Sequence, residues 1–428
     1  MRLHRSLLGA AFLLVIAFAQ GQTTPTKAPP AQTNPFLTGP EKRASETLSK
    51  EDKEEVLKAL ADVIANRAFV PGVDLSKWQE YIDKEKEDID KAESDGALAR
   101  AVNNALKDFG VSHIRLLTPR AAETRSRTSI VSIGVTSRVE NKTLVITSVM
   151  PQSPAEAQGI KVGDVITSVD GKAPENQQVL GGDEGSEVKL KVKSGDVEKD
   201  FTVKRARVST ARPETLVWAN DDTAVLRIWT FSRGYSRDNI EALMKQVNGK
   251  AKNLIVDLRS NGGGSVANLQ HLLSLLLPPD TVIGTFVGKD TVKEYEKEHT
   301  PTTDPVQIAK DATDRYKTRK LEMTPFKGKV AVLINRGSAS ASEIFTAAMR
   351  EVSGSPVVGS ASMGAVLASI FRPLPQGFQI QYPVSDYVTI KGNRLEANPI
   401  KPDAEAAGAG QDGKDAAVEK AIELLKSK

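Results

Sequence analysis

Two short apolar runs, residues 254–258 and 330–334, each pass without a break into a turn of very small residues and then into a helical pattern. A strand that is apolar at nearly every position is buried on both faces, so each run belongs inside a sheet covered by helices. The rhythm from residue 222 onward is strand, helix, strand. Strands are predicted at 224–229, 254–258 and 330–334, and helices at 238–247, 266–277 and 340–351. That alternation predicts an α/β layer of parallel strands joined by right-handed crossovers. The polar stretch 288–325 lacks a continuous apolar pattern and is expected to be a mobile insertion over the core. Residues 414–427 predict a closing amphipathic helix.

The chain ahead of this core has three further parts. Arg2, His4 and Arg5 precede an apolar run over residues 7–19 that ends in Ala17-Phe18-Ala19, a small-residue cleavage signal. The run is shorter than the ~20 residues a membrane span requires. It reads as a secretory signal peptide over residues 1–19, with the mature chain starting near Gln20 outside the cytoplasm, in a periplasm or at the cell exterior. Residues 20–45, rich in Thr, Pro, Gln and Ala, read as a flexible linker. Residues 46–120 read as a helical region. In it Val56, Leu57, Leu60, Val63 and Ile64 fall on one helical face behind an N-cap at Ser49. Residues 129–208 alternate Val, Ile and Thr with polar residues, punctuated by Gly and Asp, and predict a small β-rich domain with one short helix near Ser153.

Composition narrows the chemistry. The 428 residues include no cysteine and four histidines (His4, His113, His271, His299). Disulfides, thiolate metal sites and a cysteine nucleophile are excluded, and a multi-histidine metal cage is not expected. Lys and Arg number 58 against 54 Asp and Glu, with both signs mixed along the chain, so no nucleic-acid groove is marked. No metal or other cofactor is called for. His271 and His299 read as surface residues.

The second apolar strand runs into Asn335-Arg336-Gly337-Ser338-Ala339-Ser340-Ala341-Ser342-Glu343. Small side chains admit a substrate backbone, and a hydroxyl here sits at a helix N-terminus where amide N–H groups lack partners. Such a place suits a tetrahedral oxyanion, at ~2.7–4 kcal/mol per donor. A serine-rich turn also serves as a plain N-cap. The first strand runs into Ser260-Asn261-Gly262-Gly263-Gly264, whose backbone amides are free to face a ligand or simply to make a tight connection.

Together these turns resemble the tail-specific, or carboxyl-terminal processing, serine peptidases and their tricorn-like relatives. Further matches are Ala224-Val225-Leu226-Arg227-Ile228 and Leu395-Glu396-Ala397-Asn398-Pro399-Ile400-Lys401-Pro402-Asp403. The resemblance implies a serine-type endopeptidase whose α/β core, residues 215–428, is of the ClpP/crotonase type, within an α+β multidomain chain. It implies Ser340 as nucleophile, with the amides of Gly263 and Ala341 as the oxyanion hole.

A serine hydroxyl requires a base. In the tail-specific branch that base is a lysine, and the matching position, 25 residues past Ser340, is Ala365. The tricorn-like arrangement, Ser with His and Glu, has candidates here. Gly110-Val111-Ser112-His113 resembles the segment that carries the histidine, and Glu396 resembles the glutamate. His113 is expected as general base, oriented by Glu396. The alternative is a catalytically inactive peptide-binding protein on a peptidase scaffold. Residues 129–208 resemble a PDZ domain, with the strongest match from Ser153 to Gly171. The resemblance implies capture of an extended peptide as an added strand, with a terminal carboxylate held at Ile133, Gly134 and Val135. Ser132 stands where the first glycine of that loop is expected. The expected partners are protein or peptide substrates with accessible C-termini.

Overall fold

The computed structural model describes residues 47–126, 128–174, 176–406 and 414–427. The expected signal peptide and the linker that follows lie outside these residues. The helical region begins with α1 (Lys50–Asn66). Its first turn is closed by a reciprocal pair: Ser49 Oγ accepts from the Asp52 amide, and Asp52 Oδ2 accepts from the Ser49 amide. Such a cap contributes ~1 kcal/mol. The expected face of α1 is buried at Val56, Leu60, Val63 and Ile64. It packs with α2 (Trp78–Lys84), α3 (Lys86–Asp90) and α4 (Asp95–Asp108).

From α4 the chain passes through the short strand β1 (Arg115–Leu117) and α5 (Pro119–Ser126) into the β-rich domain. That domain pairs β2 (Ser129–Ser132) with β8 (Ala206–Ser209). Its main sheet holds, in order, β3 (Val135–Glu140), β4 (Thr143–Val149), β5 (Val165–Val169), β6 (Glu187–Ser194) and β7 (Val197–Lys204). The one-turn helix α6 (Pro154–Ala157) is capped by Ser153 and buries Ala155 against the sheet.

The core opens with the hairpin of β9 (Thr215–Trp218) and β10 (Thr223–Arg227). Then α7 (Arg237–Lys250), β11 (Asn253–Asp257) and α8 (Val266–Ser274) follow. Later come β12 (Val282–Gly288), α9 (Lys289–Tyr295), α10 (Pro305–Asp311), β13 (Tyr316–Lys317), β14 (Lys329–Ile334), α11 (Ala341–Ser353), β15 (Val357–Gly359), β16 (Ala368–Pro373), β17 (Gln379–Thr389), β18 (Ala404–Glu405) and α12 (Ala416–Ser427). The first sheet runs β18-β15-β14-β11-β10-β9, parallel throughout except for β9 at its edge. Alternate residues of β14 feed opposite cores, as the period of two requires. Val330, Val332 and Ile334 pack toward α7, α8 and α11, whereas Ala331 and Leu333 pack toward α12. The result is an α+β multidomain chain with an α/β core.

Two expectations are corrected here. The stretch 288–325, expected as a mobile insertion, carries α9, α10 and β13. Its apolar residues Tyr295, Ile308 and Ala309 close over Val287 and Val388. The partner strand β17 lies far along the chain, beyond the reach of a local pattern. This second sheet joins β1, β17, β12 and β13 antiparallel, with β16 also on β17, and Arg115 is paired with Gln381. Arg125 of α5 stacks on the Phe371 ring at 3.7 Å and donates to Gln379, tying the entry to the β-rich domain onto this sheet.

His271, expected at the surface, is buried between α7 and α8. Its Nδ1 lies 2.9 Å from the Tyr235 hydroxyl and its Nε2 3.0 Å from Glu241 Oε1. Nε2–H donates to the carboxylate, which leaves Nδ1 to accept from the phenol. Burial pushes the imidazole below its usual range; Glu241 pulls the other way, and Arg237 and Asp238 stand nearby with opposing effects. A base whose folded pKa is depressed contributes stability above its unfolded value, and that stability is lost as pH falls. The melting temperature is therefore expected to drop from pH 7 to pH 5, with a shallower slope in His271→Leu, as thermal unfolding followed by circular dichroism would read.

Candidate active site

The turn between β14 and α11 treats its three serines differently. Ser338 and Ser342 are fully buried. Ser338 Oγ donates to the Leu258 carbonyl at 2.9 Å and accepts from the Asn335 amide, and Ser342 Oγ donates to the Asn261 carbonyl at 2.8 Å. Both lock the turn to its neighbour. Ser340 is half-buried, and among the described residues its hydroxyl has no hydrogen-bond partner. Its backbone is strained, with φ 57° and ψ −118°, a region that a residue with a β-carbon rarely occupies. The plain N-cap alternative does not describe Ser340, because no side-chain cap bond forms there.

The glycine turn presses against this point. A β-carbon on Gly263 would lie 2.7 Å from the Ala339 carbonyl, 2.8 Å from Ser340 Cβ and 2.9 Å from the Ala341 amide nitrogen. Only glycine admits that approach, and its φ of +89° also favours glycine. The Ala341 amide, in the first turn of α11, has no acceptor among the described residues. The Gly263 amide departs from expectation: it donates to Asn261 Oδ1 at 2.9 Å. An amide already engaged inside the turn is not free for an oxyanion, so Gly263 contributes closeness, and Ala341 the uncommitted donor.

Asn261 and Glu343 hold the two turns together, and the sequence reading passed over both. Asn261 is fully buried; its Nδ2 donates to the Ile228 carbonyl, and its own carbonyl accepts from the Ala339 amide as well as from Ser342. Glu343, three residues past Ser340, is also fully buried. Its Oε1 accepts from Ser362 Oγ at 2.5 Å and the Gly364 amide at 2.7 Å. Its Oε2 accepts from the Ala365 and Ser340 amides, both at 3.0 Å. Burial pushes this carboxyl up, and the four bonds oppose the shift. Four donors converging on two oxygens suit the ionised acid, which offers acceptors only. The signal available in the sequence was an acidic residue in a turn of otherwise tiny side chains.

Ala365, where the lysine of the tail-specific branch is expected, touches the serine directly. Its carbonyl accepts from the Ser340 amide at 2.9 Å. Glu396 is buried one segment further on. Its Oε2 accepts from the Val366 and Leu367 amides at 2.7 and 3.3 Å, and the neighbouring Ala397 amide donates to the Gly364 carbonyl. His113 sits in a left-handed turn (φ 56°), with Nδ1 2.8 Å from the Ser112 hydroxyl. Burial, with help from Arg115, pushes its imidazole down to about 4. Gly110, Ser112, Arg115, Gly364, Glu396 and Ala397 line one cleft of about 560 Å³, so the histidine loop and the glutamate share a cavity. Ser340, Ala341, Gly263 and Ala365 are in direct contact. Among the described residues no hydrogen bond joins His113 to Ser340 or to Glu396.

In the β-rich domain, the loop at Ile133-Gly134-Val135 is bonded inward. The Ile133 carbonyl accepts from Ala155, the Gly134 carbonyl accepts from Met150, and the Gly134 amide donates to Ser132 Oγ at 3.0 Å. Of the three amides expected to hold a carboxylate, that of Gly134 is thus engaged by the residue that replaces the loop's first glycine.

Replacing Glu343 by Gln swaps one of two acceptor oxygens for an N–H donor that would face amide donors. Glu343→Gln is expected to destabilise the fold by ~3 kcal/mol or more, read as a lowered urea midpoint.

Residues 222–406 match the model of peptidase family S41, and residues 131–204 match that of the PDZ domain. A probable CtpA-like serine protease of Staphylococcus haemolyticus (strain JCSC1435) is 31% identical over 284 residues, covering 65% of this chain and 53% of the relative. The chain therefore spans about half the length of this relative. Among solved structures, the tricorn protease has a TM-score of 0.51 at 16% identity, over 88% of this chain and 37% of that one. Mature CPAF complexed with lactacystin has a TM-score of 0.50 at 14% identity, over 88% of this chain and 98% of that one. At such identities the likeness is one of fold. Residues 222–406 are therefore a peptidase family S41 domain, and a PDZ domain at residues 131–204 precedes it in the chain.

Proposed function

We propose that this chain is an exported serine endopeptidase acting on proteins and peptides, with Ser340 as the nucleophile. The observation that carries the reading is Ser340 itself: an uncommitted hydroxyl on a strained turn, at the N-terminus of α11 and beside the free Ala341 amide. Ser340 Oγ attacks the scissile carbonyl, and the Ala341 N–H stabilises the oxyanion. His113 Nε2 takes the hydroxyl proton and delivers it to the departing amine, leaving an acyl-enzyme that water hydrolyses. The imidazole is neutral at pH 7, as a base must be. Nε2 keeps its lone pair when Nδ1–H donates to Ser112 or, after closure of the cleft, to Glu396. The PDZ domain recruits extended polypeptide as a strand added to β3. A shift of the loop that carries His113, ahead of β1, is the step that brings His113 to Ser340. The apolar run over residues 7–19 supports export to a periplasm or the cell exterior.

A second reading, peptide binding without hydrolysis, is favoured by Ala365 beside Ser340 and by the absence of a base bonded to the hydroxyl among the described residues. Incubation with reduced, unfolded casein separates the two. The wild type is expected to cleave it, and Ser340→Ala and His113→Ala are each expected to lose at least ~10³-fold in rate. No cleavage by any of the three supports the second reading, and cleavage retained in His113→Ala removes the histidine from the mechanism.

The pH profile gives an independent check. The acid limb of kcat/KM reports the free enzyme and should fall as pH drops through about 4, where His113 becomes protonated. The limb of kcat should lie at higher pH, because a carboxylate brought to the ring raises its pKa.

A further inference from the structure

We propose that Ser132 closes the PDZ loop to terminal carboxylates, so that the domain takes an internal extended segment of an unfolded chain. The inference rests on the peptide-binding reading of this domain. A carboxylate oxygen bound by the Gly134 amide would have to stand at hydrogen-bond distance from that nitrogen. Ser132 Oγ already stands there, at 3.0 Å, on a side chain that is 6% exposed.

The loop has little freedom to turn its amide outward. A β-carbon at Gly134 would lie 2.2 Å from Ser153 Cβ, so the backbone packs directly on the cap of α6. The carbonyls on either side are held as well, Ile133 by the Ala155 amide and Gly134 by the Met150 amide. Rotation of the peptide that carries the Gly134 N–H would break the bond to the Ile133 carbonyl as well as the one to Ser132.

The strand that receives a peptide is nevertheless open. β3 ends the order of its sheet, and among the described residues its only strand partner is β4. On it, the Ser137 hydroxyl is buried with no hydrogen-bond partner among the described residues. An internal segment meets the requirements of this strand without bringing a charge to the serine-blocked loop.

The test uses the full chain carrying Ser340→Ala, so that bound peptides are not cut. The probe is an array of overlapping fifteen-residue casein peptides made in two orientations, one anchored through the C-terminus and one with the C-terminus free. The same peptides are expected to retain the protein on both arrays at comparable strength. Adding Ser132→Gly, or Ser132→Ala, which keeps the β-carbon, frees the Gly134 amide. Either is expected to raise retention on the free-carboxylate array by about ten-fold or more relative to the other. Retention confined to free C-termini before any change at Ser132 overturns the proposal, as does a preference that neither Ser132 variant alters. No retention on either array is a different failure, that of the peptide-binding reading itself.

Discussion

The buried carboxylate of Glu343 is the contact on which the site depends. One side chain reaches the amide of Ser340 and the amides of the segment opposite it, and so fixes the spacing between the two walls. An ionised group in this position is costly to bury unless every lone pair is used, and here four donors meet it. The strained backbone of Ser340 persists because these bonds, with that from its amide to the Ala365 carbonyl, over-determine it. Asn261 does for the glycine turn what Glu343 does for the serine turn. The two polar residues form a buried frame, and Gly263 is drawn against Ser340 inside it.

The parallel layer was legible because it follows from local pattern. The runs at 254–258 and 330–334 are apolar at nearly every position, and their exits carry the smallest residues in the chain. Ser340 was distinguishable from Ser338 and Ser342 only by resemblance. The coordinates add the physical reason, which is that the flanking hydroxyls are committed to carbonyls across the turn. The antiparallel sheet escaped notice because its central strand β17 pairs with strands far back in the chain, as Tyr387 with Phe286 and Gln381 with Arg115. Periodicity within one segment carries no information about such a partner. The burial of His271 was missed for a related reason: a lone histidine on an amphipathic helix looks solvated until Tyr235 and Glu241 are seen to meet both ring nitrogens.

His113 and Glu396 mark the limit of sequence reasoning at the site. Motif likeness selected both residues, and Glu396 lines the same cleft as the neighbours of His113 in its loop. Their bonds in this conformation are local, His113 to Ser112 and Glu396 to two amides of the segment after Ala365. Hydrogen-bond partners depend on loop positions to within an ångström, and no spacing in the chain encodes that. Ala365 is the converse case. A single residue, visible in the sequence, puts a methyl group where the resemblance leads one to expect an amine, at a position bonded to Ser340.

The long-range pairing of β1 with β17 has a consequence for how the protein is made. Leu116 and Ile380 lie side by side in a core shared by the first helices and the last third of the chain. During synthesis the amino-terminal helices therefore wait, with part of their apolar face uncovered, until the strand at Gln379–Thr389 has emerged. A chain that lacks this strand leaves Leu116 and the helices around it without one wall of their core.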